Sequence, residues 1–288
     1  MLGKPLTTLS IERSSLRFLT LGKKGVQEWG GLPATLGLVL DSGVSDAQAL
    51  ASAIDSLLAP SKASRNGVVV GLTGLGSASR VISLPRLKGK QMDEAVRWAA
   101  RKELPLSLEQ VHFSWQVVGN EAEEQKVFIL GTPLSLLESV SQALGRARVK
   151  PRGIDLKPLA LVRLVNRDEA VVIDVESDVL TIILIVGGVP EVIRTSVVGG
   201  EALSTRDRVE RIARELGEAA AAVTRSSRGQ PLSAAVPAFL TGGLAESPGL
   251  AELLGGRIDH PLQPPDVGVE LPAEFPISEY AVNLGLVL

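Results

Sequence analysis

The amino-acid sequence predicts a mixed α/β protein built as two lobes. The chain has 288 residues, too long for one small core and matched to two lobes of ordinary size. Short β-branched runs alternate with amphipathic helical stretches along its length. The opening pattern of the first half is a strand ending at an acidic-flanked turn, then a hairpin, then helices. It recurs from about residue 170, the mark of an internal duplication.

The elements follow in order. Thr7 to Ile11, Leu16 to Leu21 and Gly25 to Gly30 read as three strands, the second alternating around Arg17. Asp46 caps a helix whose face carries Leu50, Ala53, Ile54, Leu57 and Leu58, with Pro60 beyond its end. Val68 to Val70 is a buried strand, and Arg80 to Leu84 an edge strand ended by Pro85. Lys88 to Glu103 is amphipathic, with Met92, Ala95, Val96, Ala99 and Ala100 inward and Asp93 with Arg97 as an i,i+4 pair outside. Trp98 lies beside that stripe and is expected to pack. Strands at Val111 to Val118 and Lys126 to Gly131 precede a helix from Pro133 to Leu144, with Pro in its first turn. The strand-like Gly153-Ile154-Asp155 leads into a short helix from Pro158 to Val165.

The second half opens with the strand Val171 to Asp174. A hairpin of Val179 to Val186 and Val189 to Ser196 turns at Gly187-Gly188. A long helix from Asp207 to Val223 follows, with Val209, Ile212, Ala213, Leu216, Ala220 and Val223 on one stripe. Val236 to Leu240 is a strand, Thr241-Gly242-Gly243 a turn, and Gly249 to Leu254 a helix. Leu262 to Pro276 is Pro-rich and irregular, and Glu279 to Leu288 is apolar and helical.

Composition narrows the function. Thirty basic and 32 acidic residues give a net charge of -2, no footprint for nucleic acid. No apolar run approaches the roughly 20 residues of a spanning helix, and the N-terminus has no secretory pattern. Cysteine is absent, which excludes disulfides, thiolate metal sites and Cys nucleophiles and agrees with a cytoplasmic location. The two histidines, His112 and His260, have no partner at ligand spacing, so no metal site is expected. Gly71 to Ser79 invites a dinucleotide reading, but Gly74-x-Gly76-x-x-Ser79 lacks the third glycine and leads into a strand rather than a helix. No P-loop and no Gly-x-Ser-x-Gly elbow occurs, and no catalytic set emerges. The mixed charges of Arg206, Arg208, Glu210, Arg211, Arg214, Glu215 and Glu218 read as a solvated helix face.

Six segments resemble, in order, motifs of the PilM family of type IV pilus proteins, with FtsA a more distant relative. They are Arg80-Val81-Ile82-Ser83-Leu84-Pro85; Glu94-Ala95-Val96-Arg97-Trp98-Ala99-Ala100 with Leu104-Pro105; Ile154-Asp155-Leu156-Lys157-Pro158-Leu159-Ala160-Leu161; Arg194 with Gly199-Gly200; Thr241-Gly242-Gly243; and Tyr280-Ala281-Val282-Asn283-Leu284-Gly285-Leu286. The resemblance implies a two-lobed actin-like (ribonuclease H-like) fold. The first lobe would span residues 1–168 with a small αβ subdomain inserted at about 33–150, and the second 169–288. Because Gly200 is followed within a few residues by the long helix, the family's second-lobe insertion is expected to be missing.

The departures from the family bear on function. Where it has Asp-Ile-Gly-Ser-Ser-Ser as its first phosphate loop, this chain has Ser10-Ile11-Glu12-Arg13-Ser14-Ser15. Where the second loop has Asp-Ile-Gly, this chain has Asp174-Val175-Glu176, followed by Ser177. Phosphate loops present bare N–H donors to an anion, and a glutamate there repels it and adds a Cβ. Thr241-Gly242-Gly243 resembles the adenosine motif but also serves as a tight turn. A degenerate nucleotide site is therefore expected, without ATP or magnesium and without catalysis. The resemblance implies a cytoplasmic scaffold at the inner membrane that binds the short cytoplasmic N-terminal peptide of a PilN-like single-pass partner in a first-lobe cleft. It would meet other pilus assembly proteins there and the membrane only through partners. The alternatives are an ATP-binding switch or ATPase, of pilus assembly or of type II secretion of the GspL kind.

Overall fold

The computed structural model describes residues 5–34, 38–120, 123–198, 203–226 and 232–288. The Gly199-Gly200 turn and part of the acidic turn near residue 121 lie outside them.

The first half starts with a meander of β1 (Leu6–Ile11), β2 (Ser15–Gly22) and β3 (Gly25–Pro33). A minimal hairpin, β4 (Val39–Leu40) and β5 (Gly43–Val44), leads to α1 (Ala47–Leu58). Asp46 caps α1, its carboxylate accepting the N–H groups of Gln48 and Ala49 at 2.9 Å each. Leu50, Ile54 and Leu57 point into the core. Then come β6 (Asn66–Leu72), β7 (Ala78–Pro85), α2 (Lys90–Glu103), β8 (Val111–Asn120), β9 (Glu124–Pro133), α3 (Leu134–Arg146), β10 (Lys150–Leu156) and α4 (Lys157–Val165). The second half runs β11 (Glu169–Val175), β12 (Val179–Val186), β13 (Val189–Val197), α5 (Thr205–Ser226), β14 (Ala238–Thr241), α6 (Leu250–Gly255), β15 (Leu262–Gln263) and α7 (Ala281–Gly285).

The halves build the same sheet. One is ordered β10-β6-β1-β2-β3 and the other β15-β14-β11-β12-β13. In each, the first strand of the half is central, with an antiparallel meander on one side and parallel strands on the other. β11 and β12 are Val/Ile-rich and buried on both faces, so their sequences run apolar without alternating. Gly187 and Gly188 take φ of 61° and 74°, as a two-residue hairpin turn requires. A third sheet, β7-β9-β8, sits between β6 and β10 in the chain and is covered by α2 through Met92, Val96, Ala100 and Leu104. Only residues 198–204 separate β13 from α5, so no subdomain is inserted there.

One core spans both halves. Leu19 and Leu21 of β2, Ala160, Leu161 and Leu164 of α4, Val172 and Ile183 of the second sheet, and Tyr280, Val282 and Leu284 near α7 pack together. A Cβ on Gly285 would stand 2.0 Å from the Ala160 carbonyl, so α4 and α7 meet only because that residue is glycine. Trp29 packs edge-on to Phe275 at 5.2 Å, tying the irregular C-terminal segment to β3.

Some local expectations differ. Pro133 is the residue before α3 rather than part of its first turn. Arg97 lies over the Phe113 ring, 5.8 Å from its centroid, instead of pairing with Asp93. Trp98 is 60% exposed, its ring covered by Lys102 Nζ at 3.7 Å rather than by the core. The C-terminal helix is limited to Ala281–Gly285.

Candidate functional site

The central strands β1 and β11 end in equivalent turns at the junction of the two sheets. In the first, the Glu12 N–H donates to the Ser15 carbonyl at 2.9 Å; in the second, the Glu176 N–H donates to the Val179 carbonyl at 2.9 Å. A phosphate cradle needs such donors free. Here both close their own turns, and both glutamate side chains are buried.

The two glutamates lie near enough to repel one another, and a buried cation stands beside them. Lys157, at the start of α4 and 0% exposed, stands between the sheets. Its Nζ lies 2.9 Å from Glu12 Oε2 and 2.8 Å from Asp174 Oδ2. Asp174 Oδ1 also accepts the Thr241 hydroxyl at 3.2 Å. Arg17, on β2, grips Glu176 with both terminal nitrogens at 2.9 and 3.0 Å, and its Nε reaches Glu279 at 3.1 Å. The Gly243 N–H completes the Glu176 carboxylate at 3.2 Å. Arg13 Nε pairs with Asp178 at 2.9 Å. Lys157–Asp174, Arg17–Glu176 and Arg13–Asp178 each join the first half of the chain to the second, and together the charges form a clasp.

Five carboxylates meet three cations there. Burial pushes the Glu12 carboxyl up to about 7, against the attraction of Lys157 and reinforced by repulsion from Glu176 and Asp174. Burial alone would lower the Lys157 pKa, but Asp174 and Glu12 outweigh it and hold the ammonium well above its usual range. Arg17 is raised in the same way, Glu176 outweighing its burial. A buried carboxylate stripped of its cation is costly, so Asp174 and Glu176 each depend on the cation that reaches them.

The remaining sequence-predicted residues lie around this clasp. Ser10 is buried and donates to Asn283 Oδ1 at 3.1 Å, so it serves the packing of α7 on β1. Ser14, Ser15, Ser177 and Gly243 line a pocket of about 400 Å³ whose wall includes Arg17 and Glu176. Gly242 takes φ 97°, and a Cβ on it would stand 2.5 Å from the Val175 carbonyl. On Gly243 a Cβ would meet Arg17 Nη2 at 2.6 Å. These glycines fit the protein's own backbone and guanidinium. An incoming triphosphate would meet carboxylates and cations already paired with one another. Sequence reading missed Lys157, Asp178, Glu279 and Asn283 as members of this set. Arg17 left a signal, a lone charge inside an apolar strand.

Among the described residues no group of three or more His, Asp or Glu side chains is placed to hold a metal. His112 is exposed, and His260 Nδ1 lies 3.0 Å from the Val236 carbonyl. In the Gly71 to Ser79 loop, a Cβ on Gly76 would stand 2.2 Å from the Asp41 carbonyl, so that glycine serves packing.

A groove of about 330 Å³ opens next to the clasp. Leu156, Pro158 and Leu159 line it from the first lobe, Ala78 and Ser79 from β7, and Ile193 to Ser196 from β13. β7 and β13 are edge strands of their sheets.

A family profile described as "Type IV pilus assembly protein PilM" matches residues 25–208, more than half of the chain. Among solved structures, a PilM-PilN type IV pilus biogenesis complex superposes with a TM-score of 0.74 at 26% identity, covering 98% of this chain and 97% of that one. The ethanolamine utilization protein EutJ from Carboxydothermus hydrogenoformans gives 0.58 at 11% identity, covering 99% and 90%. The cytoplasmic domain of EpsL, an inner membrane component of the Vibrio cholerae type II secretion system, gives 0.55 at 13% identity, covering 99% and 93%. The last two share the fold alone. A search of curated proteins by sequence found no match. The two-lobed architecture is that of the actin-like ATPase fold.

Proposed function

Because the chain belongs to the PilM family of type IV pilus assembly proteins, we propose that it works as a non-catalytic cytoplasmic scaffold in which the clasp stands where relatives would hold a nucleotide. It binds the short cytoplasmic N-terminal peptide of a PilN-like membrane partner and reaches the inner membrane through that partner. The observation that carries the non-catalytic reading is Lys157, fully buried and paired with carboxylates of both loops. The fixed internal cation supplies to these carboxylates the positive charge that a bound metal would otherwise bring. No fold-level likeness gives this function by itself; the support is the family match over most of the chain and the superposition on a PilM-PilN complex.

The groove between β7 and β13, walled by both lobes rather than by the first lobe alone as the resemblance implies, suits an extended peptide. It is flanked by two strand edges that offer backbone donors and acceptors, and its floor of Leu156, Pro158 and Leu159 is apolar. A pull-down with the partner's cytoplasmic segment, with and without Mg-ATP, tests this. Retention independent of nucleotide is expected; no capture at high micromolar protein would count heavily against it.

A second reading, an ATP-binding switch, draws on the pocket lined by Ser14, Ser15 and Ser177 beside the clasp. It requires about 7–8 kcal/mol of affinity for a low-micromolar dissociation constant. That affinity would have to come from loops whose Glu12 and Glu176 amides are committed to their own turns.

A further inference from the structure

The clasp and the groove meet at a single turn of chain. Leu156, Pro158 and Leu159 line the groove, while the residue between them, Lys157, reaches into the clasp. The facing wall, Ile193 to Ser196 on β13, belongs to the other lobe. The groove's width is therefore an interlobe distance, fixed in part by the ion pair of Lys157 with Asp174. Asp174 lies one residue before the end of β11, two strands away from β13 in the same sheet, so a shift of that strand end carries the groove wall with it.

We infer that Lys157 and Asp174 are positioning residues for the groove: their pair holds the two walls at peptide-binding separation without any nucleotide. This rests on the peptide-binding reading of the groove. Neither side chain lines the groove, so any effect they have on the peptide travels through lobe placement. By reciprocity, a peptide seated between the walls tightens the clasp.

The test uses the full chain and a fluorescein-labelled synthetic peptide carrying the partner's cytoplasmic N-terminal segment, titrated by polarisation without nucleotide. Asp174→Asn keeps the side-chain shape and leaves Lys157 neutralised by Glu12, but removes the interlobe charge pair. With a native circular dichroism spectrum, it should bind roughly five- to thirtyfold more weakly, the span of couplings carried through packed elements. Lys157→Arg, which keeps the positive charge, should stay within roughly threefold of wild type on the same scale. Peptide should also slow hydrogen exchange of the Gly243 amide in the wild type and not in Asp174→Asn. Should Asp174→Asn fail to fold, Arg13→Ala at the rim of the clasp reads the same coupling, at roughly two- to threefold. If Leu159→Glu in the groove abolishes binding while a folded Asp174→Asn, or in its place Arg13→Ala, binds like wild type, the peptide reading stands and this inference falls. If the wild type does not bind the peptide at all, both fall.

Discussion

The two central turns place a glutamate at the same position, yet the two residues stand in unlike electrostatic surroundings. Glu176 is gripped by both terminal nitrogens of Arg17 and by the Gly243 amide. Glu12 is paired with the Lys157 ammonium at 2.9 Å, but burial outweighs that attraction and pushes its carboxyl up to about 7. An ionised carboxylate tolerates burial when its lone pairs are filled, and not when a single point charge lies nearby. Duplication supplied two equivalent turns; the partners reaching each one made the second turn a firm ion pair and the first a group on the edge of protonation.

Removing Lys157 should break the comparison most severely. Lys157→Met leaves Glu12 and Asp174 buried without their cation and should cost about 3–5 kcal/mol in denaturant unfolding. The triple variant Glu12→Gln/Lys157→Met/Asp174→Asn, which removes the charges together, should recover most of that loss. Arg17→Leu comes next, at about 2–4 kcal/mol, because Glu176 keeps only the Gly243 amide.

Glu12→Gln is the sharper probe, because its sign opposes the others. Glu12 has a folded pKa above its unfolded value of 4.5, so between about 4.5 and 7 the folded protein holds a proton that the unfolded chain has released. Its contribution to stability is thus largest at low pH and falls as pH rises through that window. Glu12→Gln should flatten that decline and, at pH 8, raise stability by about 1–2 kcal/mol, read from urea melts across pH. The smallest effect belongs to Arg13→Ala. Its pair with Asp178 lies at the rim, partly open to water, and should contribute only about 0.5–1 kcal/mol.

The strands were legible because their burial writes itself locally. Val171 to Asp174 and Val179 to Val186 are Val/Ile runs that only a sheet covered on both faces can hide. The shared topology of the lobes showed through the recurring strand-turn-hairpin order. The clasp showed only in part. Glu12 and Glu176 were visible as departures from glycine, but their partners were not. Lys157 is 17 positions from Asp174, and Glu279 is 262 from Arg17, separations over which no periodicity carries information. A lysine in the first turn of a helix opposes the helix dipole, but the sequence pattern starts that helix at Pro158, so the anomaly shows only in the structure. Trp98 misled for the converse reason. It borders an apolar stripe, but the stripe is narrow, and Lys102 one turn later offers its ring a cation instead of a core.

The central claim is that the clasp replaces the nucleotide. Titration calorimetry of the wild-type chain with Mg-ATP tests it most directly. No saturable heat is expected at concentrations approaching the millimolar range. Saturation with a low-micromolar dissociation constant would contradict it, since the phosphates would then have displaced Lys157 and Arg17 from their carboxylates.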